Sequence, residues 1–245
     1  MTQRRHSGHS RVVQLSSTID DKQWGFMFIG HFGIGFGAKS AAPRLSLGTI
    51  FVGAQFIDLL WPTLLMLGIE RVQIVPDATT VTPLIFEHYP ISHSLLAVLG
   101  WAVVVGVGYL LLKRSLKGAL VLAILVLSHW GLDAIVHQPD LLLLPGGETK
   151  IGLNVWSSLP LTLGIELIIF GGGVLLYTRA TKANDAIGRW AFWGLVGFLL
   201  VVYASNIFGA PPPSAEAIAW VGQLLWLIVL WGFWIDKHRG TIRQG

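Results

Sequence analysis

His129, Asp133 and His137 recur every fourth residue in the stretch His129-Trp130-Gly131-Leu132-Asp133-Ala134-Ile135-Val136-His137. On an α-helix that spacing turns each side chain about 40° from the last, so all three share one face. The stretch follows an apolar run from Ala119 to Leu127. An ionisable group inside a membrane span costs roughly 2.5–3.5 kcal/mol even on lenient insertion scales, so it normally faces a polar interior and a partner. Asp58, His93, Glu166 and His31 lie in or beside other apolar segments and are the available partners. Imidazole with carboxylate suits zinc, manganese or iron and argues against a thiophilic metal. The expected cofactor is therefore a divalent metal ion, zinc first.

The environment follows from composition. Hydrophobic residues make up 53% of the 245 and charged residues 12%, against about 25% charged in an ordinary soluble domain. Such a chain is soluble in a bilayer rather than in water. There are no cysteines, which excludes disulfides, iron–sulfur clusters and thiolate metal sites. The formal net charge of +4 would fit a nucleic-acid partner, but the basic residues are placed as a membrane protein places them. No nucleic acid is expected. Membrane lipid and a small amphiphilic substrate are the expected partners, and no motif speaks to oligomeric state.

The elements that must position these groups are apolar segments. Six stretches, 47–69, 95–112, 119–137, 161–177, 190–207 and 217–235, are long enough or nearly so to cross about 30 Å of hydrocarbon. A seventh, 25–37, is short and glycine-rich, and reads as a thin first span or a re-entrant half-helix. The expected fold is all-α: a polytopic integral membrane helix bundle of six to seven transmembrane segments. A polar, disordered N-terminal tail (1–26) precedes one helical membrane domain (27–236), and a basic tail (237–245) follows it. The Gly171-Gly172-Gly173 run has no strand before it and no Lys-Ser/Thr after it, so it reads as close helix packing rather than a phosphate loop.

Basic residues alternate between loops. Lys39, Arg44, Lys113, Arg114, Lys117, Arg179, Lys182, Arg189, Lys237, Arg239 and Arg243 fall on one side, and only Arg71 and Lys150 on the other. Eleven against two places the C-terminus in the cytoplasm, with a bacterial inner membrane as the expected location. Arg4, Arg5, Arg11 and Lys22 pull the tail toward the cytoplasm, whereas seven full crossings put it outside. The seven-segment reading brings His31 to the side of the other candidates. Trp220, Trp226, Trp231 and Trp234 read as interface anchors and packing residues.

With the C-terminus inside, the 119–137 helix runs outward and carries His129, Asp133 and His137 in its outer half. His93 opens the preceding span at the outer surface, and Asp58 sits mid-span. The residues converge on a pocket open to the non-cytoplasmic face. Each also has a plainer reading. His137 and Asp140 flank Pro139 at a helix end, where an interfacial histidine or a cap serves as well as ligation. His88 and Glu87 lie in a loop where solvated polar residues are ordinary. Glu166 is equally a partner for an arginine, Ser157 or Thr162. Asp58, His129 and Asp133 have the weakest plain readings, since each needs a buried partner in any case.

At these residues the chain resembles the YdjM-type inner-membrane proteins, a family of membrane-bound metal-dependent hydrolases. Gly30-His31 within Met27-Phe28-Ile29-Gly30-His31-Phe32-Gly33 matches the family's glycine-rich first helix and its leading histidine. Ile57-Asp58-Leu59-Leu60-Trp61-Pro62 keeps the first acid and last proline of Pro-Asp-x-Asp-His-Pro, with Leu60 and Trp61 in place of the second acid and the histidine. His88-Tyr89-Pro90-Ile91-Ser92-His93-Ser94 aligns with His-Arg-Gly-x-Thr-His-Ser, and Ser128-His129-Trp130-Gly131-Leu132-Asp133 carries Ser-His-x-x-x-Asp intact. The likeness runs from about Met27 to Pro145. It implies a metal-dependent hydrolase, and the losses at Leu60 and Trp61 point to one ion rather than two. Asp58, His93, His129 and Asp133 would bind that ion, with His31 or His137 completing the shell. Glu166 or His88 would act as general base or acid. The expected activity is hydrolysis of a lipid-derived or amphiphilic phosphoester or ester. The rival expectation is a cation- or proton-coupled transporter using the same residues.

Overall fold

A computed structural model describes residues 29–76 and 78–242. The tail 1–26, Met27 and Arg243 lie outside the described residues, so the expectations placed on them are not addressed by the fold. The described chain is mostly helical. Its helices are α1 (Ile29–Ala41), α2 (Leu47–Ala54), α3 (Phe56–Met66), α4 (Leu95–Lys113), α5 (Leu116–Val136), α6 (Leu159–Ala180), α7 (Ala186–Phe208), α8 (Ala215–Gln223) and α9 (Leu225–Lys237). Three short antiparallel ribbons join them: β1 (Arg71–Ile74) with β2 (Leu84–His88), β3 (Leu141–Leu142) with β4 (Lys150–Ile151), and β5 (Thr181–Ala183) with β6 (Arg239–Thr241).

Helices α4, α5, α6 and α7 and the α8–α9 pair, Ala215–Lys237, are each long and apolar enough to cross a bilayer. Residues 47–69, read as one span from the sequence, form two helices bent by 59° at Gln55; counted as one broken span they bring the number to six. The thirteen residues of α1 rise only about 20 Å at 1.5 Å per residue, short of the hydrocarbon thickness. The fold is thus a mostly helical bundle in which five helices, or six counting the bent pair, are long and apolar enough to cross a membrane among the described residues, against the six to seven spans expected. Large apolar side chains coat its outside, such as Val103 at 62% and Leu111 at 72% exposed on α4. In water that coat would be a liability, and in lipid it is ordinary.

Helix α1 is clamped against α6 by backbone contact. A Cβ on Gly33 would sit 2.7 Å from the Ile169 carbonyl oxygen, and one on Gly173 would run into the Gly33 carbonyl. Of the triple glycine, then, Gly173 is the packing residue. Gly171 and Gly172 face open space. Phe32, Phe36, Phe51, Tyr177 and Phe192 fill the core beside this contact. Trp231 donates Nε1–H to the Ala191 carbonyl at 3.1 Å, tying α9 to α7, while Trp220 on α8 is exposed.

The two ends of the bundle differ in chemistry. Lys39 at the end of α1 pairs with Asp236 near the end of α9 at 3.2 Å, and Asp236 also accepts the Leu47 N–H at the start of α2. β5–β6 joins the end of α6 to the end of α9. Lys39, Arg44, Lys113, Lys117, Arg179, Lys182 and Lys237 therefore gather at one end. The His and Asp residues singled out by sequence lie toward the other.

Candidate metal centre

Five of the expected ligands meet at the end opposite the basic rim. His31 comes from the first turn of α1, Asp58 from α3, His93 from the residue before the Ser94 cap of α4, and His129 and Asp133 from α5. Asp133 bridges two imidazoles: its Oδ1 lies 3.1 Å from His31 Nε2, and its Oδ2 3.4 Å from His129 Nε2. Asp58 Oδ1 is 3.5 Å from His129 Nε2 and 3.9 Å from His93 Nε2, and His93 Nε2 is also 3.9 Å from Asp133 Oδ2. The His31 and His129 rings stack with centroids 3.7 Å apart and planes within 1°. Two overlapping groups have donor atoms close enough to share one ion: His31 with Asp58 and His129, and His93 with His129 and Asp133.

Local structure fixes each ring. The helix break at Gln55 ends α2 at Ala54, and the Ala54 carbonyl lies 2.8 Å from His129 Nδ1. A carbonyl can only accept, so Nδ1 carries the proton and Nε2 turns toward the carboxylates. Pro62, inside α3, has no N–H to give the carbonyl of Asp58 one turn earlier.

His93 is held by a relay that the sequence did not reveal. Buried Glu70, between α3 and β1, accepts the Ile91 and Ser92 N–H groups, each at 2.8 Å, and the Ser92 hydroxyl at 2.5 Å. With its hydrogen committed to Glu70, Ser92 Oγ accepts from His93 Nδ1 at 2.6 Å. Burial pushes the Glu70 carboxyl above its ordinary range, against the pull of these hydrogen bonds. Trp130 Nε1 donates to the His93 carbonyl at 2.9 Å and pins the backbone.

Asp133 Oδ2 is buried without a hydrogen-bond donor. It faces Nε2 atoms on two histidines whose Nδ1 protons are already placed on Ala54 O and Ser92 Oγ. In low dielectric, a carboxylate oxygen against two imidazole lone pairs is unfavourable unless a proton or a cation lies between them. Histidines that donate Nδ1–H to a carbonyl or a carboxylate-linked group while turning Nε2 inward are the usual supports of a metal. Oxygen and imidazole nitrogen donors fit zinc, manganese or iron. The residues present fit a divalent ion.

Three expected site residues are placed elsewhere. The helix ends at Val136, so His137 takes an extended conformation and its Nδ1 bonds Asp140 Oδ1 at 3.0 Å. Tyr89 donates to the same oxygen at 2.7 Å, and Phe86 and Trp156 enclose the ring. Glu166 is buried on α6 and accepts the Ile29 N–H at 3.1 Å, capping the helix that carries His31; Tyr203 faces it from α7. His88 is exposed at the end of β2, opposite Arg71.

Asp58 is the one open member of the cluster. Its side chain is 33% exposed, against 6% or less for the other four. It lies in the wall of a cavity of about 280 Å³ between α3, α7 and α8. Comparison with protein-family models, curated proteins and solved structures finds no match to the chain.

Proposed function

We propose that the chain is a membrane-embedded, metal-dependent hydrolase acting on a lipid-derived or amphiphilic phosphoester or ester at the non-cytoplasmic face. The observation that carries this reading is Asp133 Oδ2, buried without a donor between imidazoles whose Nδ1 protons are committed elsewhere. His31, Asp58, His93, His129 and Asp133 would hold one ion, zinc first. When bound, such an ion lowers the pKa of a coordinated water and polarises the scissile group.

The chain's own residues supply the rest. Ala54 and the Glu70–Ser92 pair fix the tautomers of His129 and His93. Asp133 spans His31 and His129 and sets their separation. Asp58, open on one side, is the member of the set that would meet a substrate. Glu166 acts through α1, holding His31 in place by its cap. His88 and His137 stand outside this set, His137 as a buttress beside Asp140. The basic residues gathered at the opposite end, from Lys39 to Lys237, and the loop-charge bias of the sequence support a cytoplasmic C-terminus and an outward-facing site.

The break between α2 and α3 favours a second reading. Broken helices at mid-membrane build ion sites in secondary transporters, and this break supplies the Ala54 carbonyl to His129. A panel of lipid phosphates, lipid esters and simple phosphoesters, with metal-loaded and chelated protein, separates the two. Metal-dependent cleavage supports the hydrolase. Inactivity throughout, with metal-dependent cation or proton flux in proteoliposomes, establishes the transporter.

A further inference from the structure

We infer that the cavity between α3, α7 and α8 receives the hydrocarbon tail of a single-chain amphiphile whose polar head reaches Asp58. The head's role rests on the hydrolase reading above; the tail site stands on its own geometry. The cavity, about 280 Å³, is walled largely by Trp61 and Pro62 of α3, Val202 of α7, and Val221 and Leu225 of α8 and α9. That volume lies just below the roughly 300–1,000 Å³ typical of small-molecule sites, which suits one chain rather than two. Because α7 and α8–α9 are long and apolar enough to cross a bilayer, we place the cavity beside lipid, with Ser205 and Asn206 and the 210–213 loop completing its wall.

The link to the site is direct. Asp58 belongs to both the His/Asp cluster and the cavity wall, and it is the only member of the cluster with a substantial open face. A ligand lying in the cavity therefore meets the cluster through Asp58. Gln55, whose buried Oε1 has no hydrogen-bond donor, lines the same wall and offers an acceptor to a head-group hydroxyl. An apolar trough with a few convergent polar atoms and an ionisable end is the recognition chemistry of an amphiphile, with the tail giving affinity and the polar end giving register.

The experiment uses the full chain in lipid nanodiscs with dodecyl phosphate carrying a diazirine at the chain end. After photolysis, the expected crosslinks map to α3, α7 and α8, and excess unmodified dodecyl phosphate suppresses them at least severalfold. Val202→Trp and Ala217→Trp, which fill the cavity from two helices, should each reduce labelling with metal content unchanged. Labelling spread over lipid-facing helices such as α4 in proportion to exposure, with no competition, overturns the tail site. Elemental analysis of the same samples keeps the two ideas apart. Competed cavity labelling of metal-free protein supports the tail site while removing the hydrolytic reading. Metal-bearing protein with uncompeted labelling overturns the tail site and leaves the metal reading standing.

Discussion

At the level of single residues, the account turns on how each imidazole is oriented. If Glu70 and Ser92 hold the His93 tautomer, then Ser92→Ala and Glu70→Gln should each weaken metal affinity by about 10–100-fold, the usual effect of removing a supporting partner. His93→Ala should strip the ion. Metal titration of the three variants measures this directly, and full affinity in Ser92→Ala would remove the relay. The spacing of His129 and Asp133 was legible because four residues on a helix fix a shared face. The same spacing misplaced His137: Val136 is the last helical residue, so the periodic argument stops one residue short and Asp140 claims the ring. Glu70 was illegible for another reason. It sits in a loop, where acids are ordinarily solvated, and its partners lie more than twenty residues away. Glu166 tests capping against chemistry. Glu166→Gln keeps an acceptor for Ile29 N–H and should retain the ion, whereas Glu166→Ala should lower stability by about 0.5–2 kcal/mol, the range for losing a cap. A thermal-shift assay in detergent distinguishes them.

Among the helices, the α1–α6 contact decides whether His31 reaches Asp133. Gly173→Val would drive a side chain into the Gly33 backbone, where a neighbour cannot yield. Overpacking of a rigid contact costs about 1–3 kcal/mol or more, and the displaced α1 should lose His31 as a ligand. Gly171→Val, facing open space, should change neither stability nor metal content. Equal loss in both variants would contradict the packing argument. Asp185 gives a pH signature for α7. Its carboxylate accepts the Gly188 N–H at 2.8 Å and lies beside His238, which together hold it below its ordinary value of 3.8. A depressed folded-state pKa contributes stability that is complete above the ordinary value and lost as pH falls through the depressed one. The Asp185→Asn protein should therefore differ from the parent at neutral pH and converge with it only in strong acid, as read from denaturation at several pH values. Helices were readable because long apolar runs leave few alternatives. The ribbons were not, since strands of two to five residues carry too little pattern, and the 59° break at Gln55 falls inside a stretch whose overall apolarity reads as one span.

On the scale of the whole molecule, the bundle is polarised, with a basic rim at one end and the His/Asp cluster toward the other. A reporter at the C-terminus should read as cytoplasmic and one inserted at Gly146, in the β3–β4 turn, as non-cytoplasmic. The opposite result at both sites would turn the centre toward the cytosol. The basic end was legible in the loop charges and the five converging residues were among the expected ligands, but the helix packing that brings them together was not legible, because order along a chain does not give helix adjacency. The central claim is that those five side chains hold an ion. Elemental analysis of the purified protein, beside His129→Ala, tests it most directly. The account predicts about one divalent ion per chain in the parent, as expected for a single converging set of ligands, and its loss in the variant. A metal-free parent, or a His129→Ala protein that keeps its full metal content, would contradict it.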